Sequence, residues 1–326
     1  MQSTPPSRLA IFALILLSLI WGYNWVVMKQ VIRYVDPFDF SAIRTLLGAG
    51  TLFLVLVVLR RPMPLMAARQ VMLLGVVQTA AFTALIQWAL VAGGAGKTAV
   101  LVYTMPFWAI PLAWWVLGER VRGLQWLAIA IAAAGLALIL EPWAMRGSLF
   151  SNLLAIAGGL TWALSAILAK RMRRAHAFDL LSLTAWQMLF GALALCVLAA
   201  LHSSRPIEPV PYFFGALAFN AVFATGLAWL LWLYVLQHLS TGMAGLSALG
   251  VPMIGVLAGW LELGERPSAA ESAGMLLIGG ALALISLWSL RQSRQHSRRP
   301  GRQAAALAGG RQGAAAPQPC KVRTGD

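Results

Sequence analysis

The chain has 326 residues, of which 60% are hydrophobic and only 11% charged, with a mean hydropathy of +0.76. A soluble globular chain is about half apolar and a quarter charged, so these proportions exclude one and point to repeated membrane spans. The net charge of +15 does not indicate a nucleic-acid partner. Eight of its basic residues, with one acid, fall in residues 291–326, a tail lacking the aromatic side chains on which bases stack.

Residues 1–8 read as a short cytoplasmic N-terminus, and the first apolar run covers 9–28. Arg8 followed by "LAIFALILLSLI" has the flavour of a cleaved leader, but no small-x-small site follows and the run continues to spanning length, so it is kept as structure. Further spans are expected at 40–59, 70–92, 98–117 and 124–140, then at 149–169, 180–201, 211–237, 241–261 and 272–290. Short links join them, with no inserted soluble domain. Residues 291–326 read as a disordered basic cytoplasmic tail that touches anionic headgroups. With the N-terminus inside, inner segments and tail carry eighteen of the 25 Lys and Arg residues, and "KRMRR" at 170–174 is the firmest inner anchor. Both termini are therefore expected in the cytoplasm. Cys196 and Cys320 form no disulfide framework, and the four histidines lack metal-ligand spacing.

Two stretches repeat an uncommon pattern, a proline thirteen residues before a glutamate. A shift of 146 brings Pro106 onto Pro252, Trp114 onto Trp260, and Leu117-Gly118-Glu119-Arg120 onto Leu263-Gly264-Glu265-Arg266. Without a gap it also sets Leu136–Ile139 on Leu282–Ile285. A shift of 141 brings Trp21 onto Trp162 and Lys29 onto Lys170, and one of 143 sets Arg44-x-x-x-Gly48 on Gln187-x-x-x-Gly191. Leu/Ala-rich helices align with one another by composition alone, but that does not reproduce the proline–glutamate spacing. The reading is a duplication, with units at 9–141 and 149–290. Each unit holds five spans, an odd number, so the second enters the membrane from the opposite side. The expected fold is an all-α polytopic membrane protein of ten transmembrane helices in two inverted five-helix repeats, which places a solute site near the bilayer midplane.

With this duplication, the chain resembles the drug/metabolite transporter superfamily, specifically its bacterial ten-helix EamA branch. The motifs that carry the resemblance are "IWGYNWVVMK" at 20–29, "FSAIR" at 40–44, proline followed by "LGER" in the fourth and ninth spans, and "LTWALSAILAKR" at 160–171. It covers residues 9–290 and leaves the tail outside. The resemblance implies export of small metabolites through a central cavity whose two halves open alternately, in a bacterial inner membrane. It does not name the solute, the direction or the driving force.

Polar and aromatic residues inside the spans are the cavity candidates: Asn24, Gln78 and Phe82, Tyr103, Trp162 and Ser165, and Asn220. Gln78 and Phe82 lie four apart and share a helix face. Amphipathic rings with a few amides suit a mixed polar and apolar solute, such as an amino acid or aromatic metabolite. Each polar group also reads as an interhelical hydrogen bond and each ring as a packed wedge. Arg44 reads as a snorkelling side chain or packing partner rather than a solute anchor. Pro106 and Pro252 read as static kinks or as bends on which the bundles rock. Glu119-Arg120 and Glu265-Arg266 stabilise helix ends or act as gates by alternate pairing. Trp114, Trp115 and Trp260 read as headgroup-level anchors.

"VAGGAGKT" at 91–98 imitates a phosphate-binding loop, but Val91 stands where glycine is required and no strand precedes it. An intramembrane enzyme needs a nucleophile, paired carboxylates or metal ligands within the spans, and no such constellation is found. Ser247 lacks nucleophile-elbow spacing. A scaffold or receptor is expected to carry an extramembrane domain. The reading is a secondary transporter with small-molecule and lipid partners and no cofactor or metal. Drug efflux and metabolite uptake are alternatives within that class. The small-residue face at 128–135 serves equally inside a monomer or across a homodimer.

Overall fold

The computed structural model describes residues 8–118, 120, 123–140, 149–238, 247–288 and 291. Glu119, the remainder of the tail and the first residues of the expected ninth span lie outside them. Among the described residues every regular element is helical. The first repeat contains α1 (Arg8–Val31), α2 (Pro37–Val58), α3 (Ala68–Ala92), α4 (Ala95–Leu117) and α5 (Gly123–Leu140). The second contains α6 (Leu149–Ala175), α7 (Leu180–His202), α8 (Pro211–Ala218 continuing to His238), α9 (Ser247–Leu263) and α10 (Ala269–Trp288). All but α9 are long and apolar enough to cross a bilayer, and α9 is a shorter apolar helix.

Caps explain where several helices start ahead of their apolar runs. Asp36 accepts the Phe38 amide and Pro37 follows as the first helical residue, so α2 begins three residues before its apolar face. Asp179 caps α7 by accepting the Ser182 amide, and that helix begins where its apolar run does. Ser268 and Glu271 cap reciprocally, Ser268 N–H donating to Glu271 Oε2 (2.9 Å) and Glu271 N–H to Ser268 Oγ (3.1 Å), which sets the start of α10. The glycines of both LGER turns, Gly118 and Gly264, are left-handed (φ 67° and 64°), a conformation that costs a residue with a Cβ.

The packing repeats under exchange of each helix with the one five later. Helix α1 packs on α8 and α9 as α6 packs on α3 and α4, and α2 packs on α8 as α7 packs on α3. Two contacts, α2 on α7 and α4 on α9, map onto themselves. These approaches rely on absent side chains, because lipid gives apolar helices no reason to associate beyond close contact. A Cβ on Gly48 would meet Thr225 Cγ2 at 2.5 Å, and one on Gly191 would collide with Thr79 and with the Gly75 carbonyl oxygen at 2.7 Å. The 146-residue shift relates Thr79 to Thr225, so one contact is built twice. Helices α5 and α10 meet likewise, a Cβ on Gly135 falling 2.8 Å from the Gly274 carbonyl oxygen.

Two features depart from regular spans. Helices α3 and α8 each contain a π-helical stretch, Gly75–Ala81 and Phe219–Leu227, at equivalent positions in the two repeats. Helix α4 breaks at Tyr103-Thr104 into Ala95–Val102 and Met105–Leu117. Pro106 sits in the first turn after that break. Pro252 lies inside α9, five residues after its first described residue. The two sequence-equivalent prolines therefore occupy different local backbones in the described residues.

Candidate functional site

A cavity of about 550 Å³ lies where the repeats cross, walled by residues of α1, α2, α3, α4, α6, α7 and α8. Its apolar wall is a chain of rings. Phe82 meets Trp162 edge-on at 4.8 Å, Trp162 stacks on Trp229 at 6.4 Å, and Trp21 meets Trp229 edge-on at 6.1 Å. The Trp21 indole is oriented by donating to the Ala224 carbonyl (3.0 Å), within the π-helical stretch of α8. Such local widenings of a helix are frequent at functional sites. On the opposite repeat, the stretch in α3 carries Gln78, which lines the same cavity.

Five of the seven cavity candidates line this space: Asn24, Gln78, Phe82, Tyr103 and Trp162. Pro106 joins them, just past the break in α4, where Gly159 of α6 approaches so closely that a Cβ would lie 2.8 Å from the Val102 carbonyl oxygen. Ser165 and Asn220 lie outside the wall. Ser165 is fully buried and its hydroxyl donates to the Trp162 carbonyl of its own helix (2.7 Å). Asn220 is also fully buried, its Nδ2 donating to the Ala216 carbonyl (3.0 Å) and its Oδ1 accepting from Arg44 Nη1 (3.1 Å).

Of the two readings of Arg44, a snorkelling side chain or a packing partner, its burial excludes the first. Arg44 is 9% exposed, lines the cavity, and places its guanidinium carbon 5.9 Å from the Phe40 ring centre. Asn220 lies across the bundle in the other repeat, and holding the guanidinium there keeps it from reaching the interface. Arg44 is the one charged residue among the described residues lining the cavity. Two buried polar atoms of the wall have no hydrogen-bond partner, Arg44 Nε and Asn24 Oδ1.

The end of the bundle that carries the α1–α2, α3–α4, α7–α8 and α9–α10 links is tied by polar contacts. Glu265 accepts the Ala95 and Gly96 amides at 2.6 and 3.0 Å, so the glycine-rich run at 91–98 does hold an anion, the carboxylate of α9's own LGER turn. Lys97 lies in the first turn of α4 and pairs with Glu271 at 2.6 Å. Lys29 donates to the Leu90 carbonyl (2.6 Å) at the end of α3, where a cation complements the helix dipole. Arg205 reaches the Val35 carbonyl (2.5 Å), and Ser204 Oγ donates to Asp36 (2.7 Å). Arg120 and Arg266 are exposed, and Trp114, Trp115 and Trp260 lie on the outer surface of the bundle. Among the described residues, no three His, Cys, Asp or Glu side chains gather as a metal site.

The family model described as "EamA-like transporter family" matches twice, over residues 8–141 and 149–287. The chain belongs to the EamA-like transporter family. It is a multi-pass membrane transporter, and family membership accounts for the absence of an enzyme's constellation from the sequence. Similar chains include the uncharacterized transporter YoaV of Bacillus subtilis, 27% identical over 81% of this chain and 92% of its own. The uncharacterized inner membrane transporter YedA of Escherichia coli K12 is 25% identical over 84% and 90%. One crystal structure matches with a TM-score of 0.63 at 18% identity, covering 86% of this chain and 98% of that one, a likeness of fold alone.

Sequence reasoning toward this EamA-type cavity missed Arg44 and Trp229. Arg44 had a readable signal: of the two equivalent positions, 44 and 187, only one carries a charge. Trp229 had none, since it follows the π-helical stretch that decides which way it faces.

Proposed function

We propose that this chain is a secondary transporter of the bacterial inner membrane that exports small amphipathic metabolites, amino acids or related compounds, by alternating access. One observation carries the reading. The central cavity is walled by both repeats, so rocking one repeat against the other exposes the same solute site to each side in turn. Asn24, Gln78, Phe82, Tyr103 and Trp162 contact the solute, rings on its apolar body and amides on its polar groups. Pro106 and Pro252 supply the bends, and Glu265 holds the closed end. The family matches at 8–141 and 149–287 support two five-helix units. The basic bias of the 59–67 and 170–174 segments supports cytoplasmic termini. In that orientation the end held by Glu265 faces outward.

The test is counterflow in sealed vesicles, using labelled amino acids and amphipathic drugs with and without an imposed pH gradient. Trp162→Ala and Gln78→Ala are expected to change transport while membrane expression is intact. If both variants move every solute at the parental rate, the site assignment is wrong. If the parent moves none, the transporter cycle itself is wrong.

A further inference from the structure

We propose that the transported solute is an organic monoanion whose carboxylate seats on Arg44, and that the membrane potential drives its export. The proposal rests on the transporter reading above, names its substrate class and supplies its driving force.

The argument begins with charge. A guanidinium stays protonated in a protein, and Arg44 keeps its charge while 9% exposed. Its one hydrogen-bond acceptor, Asn220 Oδ1, is neutral, and no carboxylate among the described residues lines the cavity. The wall therefore holds one uncompensated positive charge. Nη1 is used by Asn220, and Nε, enclosed without a partner, forms with the adjacent Nη2 the side-on fork. That fork is the geometry that takes a carboxylate through two parallel N–H···O bonds. Asn24 is 8% exposed, and its enclosed Oδ1 is also unpartnered and awaits a donor. The remaining wall is the ring series Phe82, Trp162 and Trp229. A carboxylate on an apolar body, with an amide N–H or hydroxyl beside it, satisfies all three features.

Neutralisation also bears on the cycle. A charge passing through low dielectric is costly, so the loaded site, with carboxylate and guanidinium paired, occludes more readily than the empty one. Over a full cycle the protein's own charges return to their places and the charge moved is the solute's. A monoanion leaving a cell whose interior is negative moves downhill, each 100 mV setting an equilibrium ratio of about 50-fold. No Asp or Glu among the described residues lines the cavity, and this cycle needs none to carry a proton.

The experiment uses the full chain and four probes sharing one body: labelled N-acetyl-L-phenylalanine (anion), its amide (neutral), phenylalanine (zwitterion) and phenylalaninamide (cation). Equilibrium binding to purified protein is expected to favour the anion over the neutral amide by at least about tenfold, the lower end for a charge-assisted pair. Arg44→Gln removes that preference and Arg44→Lys keeps part of it. The Gln variant is expected to fold, because Gln187, buried, occupies the equivalent position in the second repeat, and size-exclusion profiles verify this. In proteoliposomes held at −100 mV inside by potassium and valinomycin, the anion is expected to approach a 50-fold outward ratio, against unity without a potential. That end point is the same whichever way the protein inserts.

Binding of the anion no tighter than the amide, or undiminished by Arg44→Gln, overturns the anion site. An outward ratio of unity at −100 mV, with transport occurring, overturns the driving force. Movement of any probe faster than in protein-free vesicles upholds the transporter reading independently. Arg44-dependent binding with no movement of any probe upholds the site and defeats that reading.

Discussion

Replacing Glu265 with glutamine tests whether the tied end of the bundle is a latch. The carboxylate receives two amide N–H groups, from Ala95 and Gly96, at the first turn of α4. Two glycines make room for it, since a Cβ on Gly94 or Gly259 would lie 2.9 or 2.8 Å from Glu265 Oε2. Hydrogen bonds to a charged group contribute about 1.5–3 kcal/mol each, neutral ones about 0.5–1.5. Glutamine keeps one bond in neutral form and turns an NH2 toward the second amide, so the closed arrangement loses about 2–3 kcal/mol. At 1.4 kcal/mol per factor of ten, the open population rises about 30- to 150-fold. The reporter is Ala99→Cys, fully buried where α4 packs on Gly255 of α9, in a chain whose Cys196 and Cys320 are replaced by alanine. While reclosing outpaces labelling, the rate of modification by a polar maleimide tracks the open population. Glu265→Gln is expected to raise that rate by the stated factor, and Arg266→Gln, at an exposed position, to leave it unchanged. Equal rates for parent and Glu265→Gln would refute the latch.

Three further outcomes follow from the packing. Gly191→Val forces α3 and α7 apart at Thr79 and costs about 1–3 kcal/mol, whereas Gly50→Val, facing open space, costs only a few tenths; the detergent-solubilised melting temperature separates them. Gly264→Ala puts a Cβ on a φ of 64° and costs about 1–2 kcal/mol, with Gly264→Asn milder in the same melt. Asn220→Leu strips Arg44 of its acceptor and is expected to destabilise by about 2 kcal/mol. Adding Arg44→Gln recovers part of that loss, and a double-mutant cycle with strictly additive effects would show that the pair does not interact.

The spans were legible because lipid imposes a length and a composition on each crossing, and the observed helices begin and end within a few residues of the apolar runs. The early starts of α2 and α10 trace to Asp36 and Ser268, polar caps that hydropathy alone leaves outside. The duplication was legible because Pro106/Pro252 and the two LGER turns are chemically uncommon in apolar helices. The π-helical stretches were not. Widening a turn depends on what the backbone meets, and here each occurs where Thr79 or Thr225 presses on a glycine of another helix. The destination of Arg44 was hidden for the same reason. Its partner Asn220 is 176 residues away, so position along α2 suggested the interface while the fold turned the side chain inward. Asn220 was singled out as a cavity residue for its polarity, and that polarity is spent on holding Arg44.

The repeat also separates scaffold from specificity. Where the halves keep the same residues, at Gly48 and Gly191, Thr225 and Thr79, or Trp21 and Trp162, the side chains set helix distance or wall off the cavity from both sides. A pair related by the duplication cannot by itself distinguish one solute from another by charge, since both halves offer the same group. Discrimination has to come from positions where the copies have diverged. Arg44 faces Gln187 in that comparison, Asn220 faces Leu74 and Trp229 faces Thr83. Arg44 and Trp229 line the cavity, and Asn220 holds Arg44 in place. Divergence that merely drifted would scatter over lipid-facing and core positions alike. These three changes instead meet at one place, the charge and an apolar ring in the cavity wall and the charge's support behind it, so solute selectivity should follow them while the paired glycines govern whether the bundle assembles.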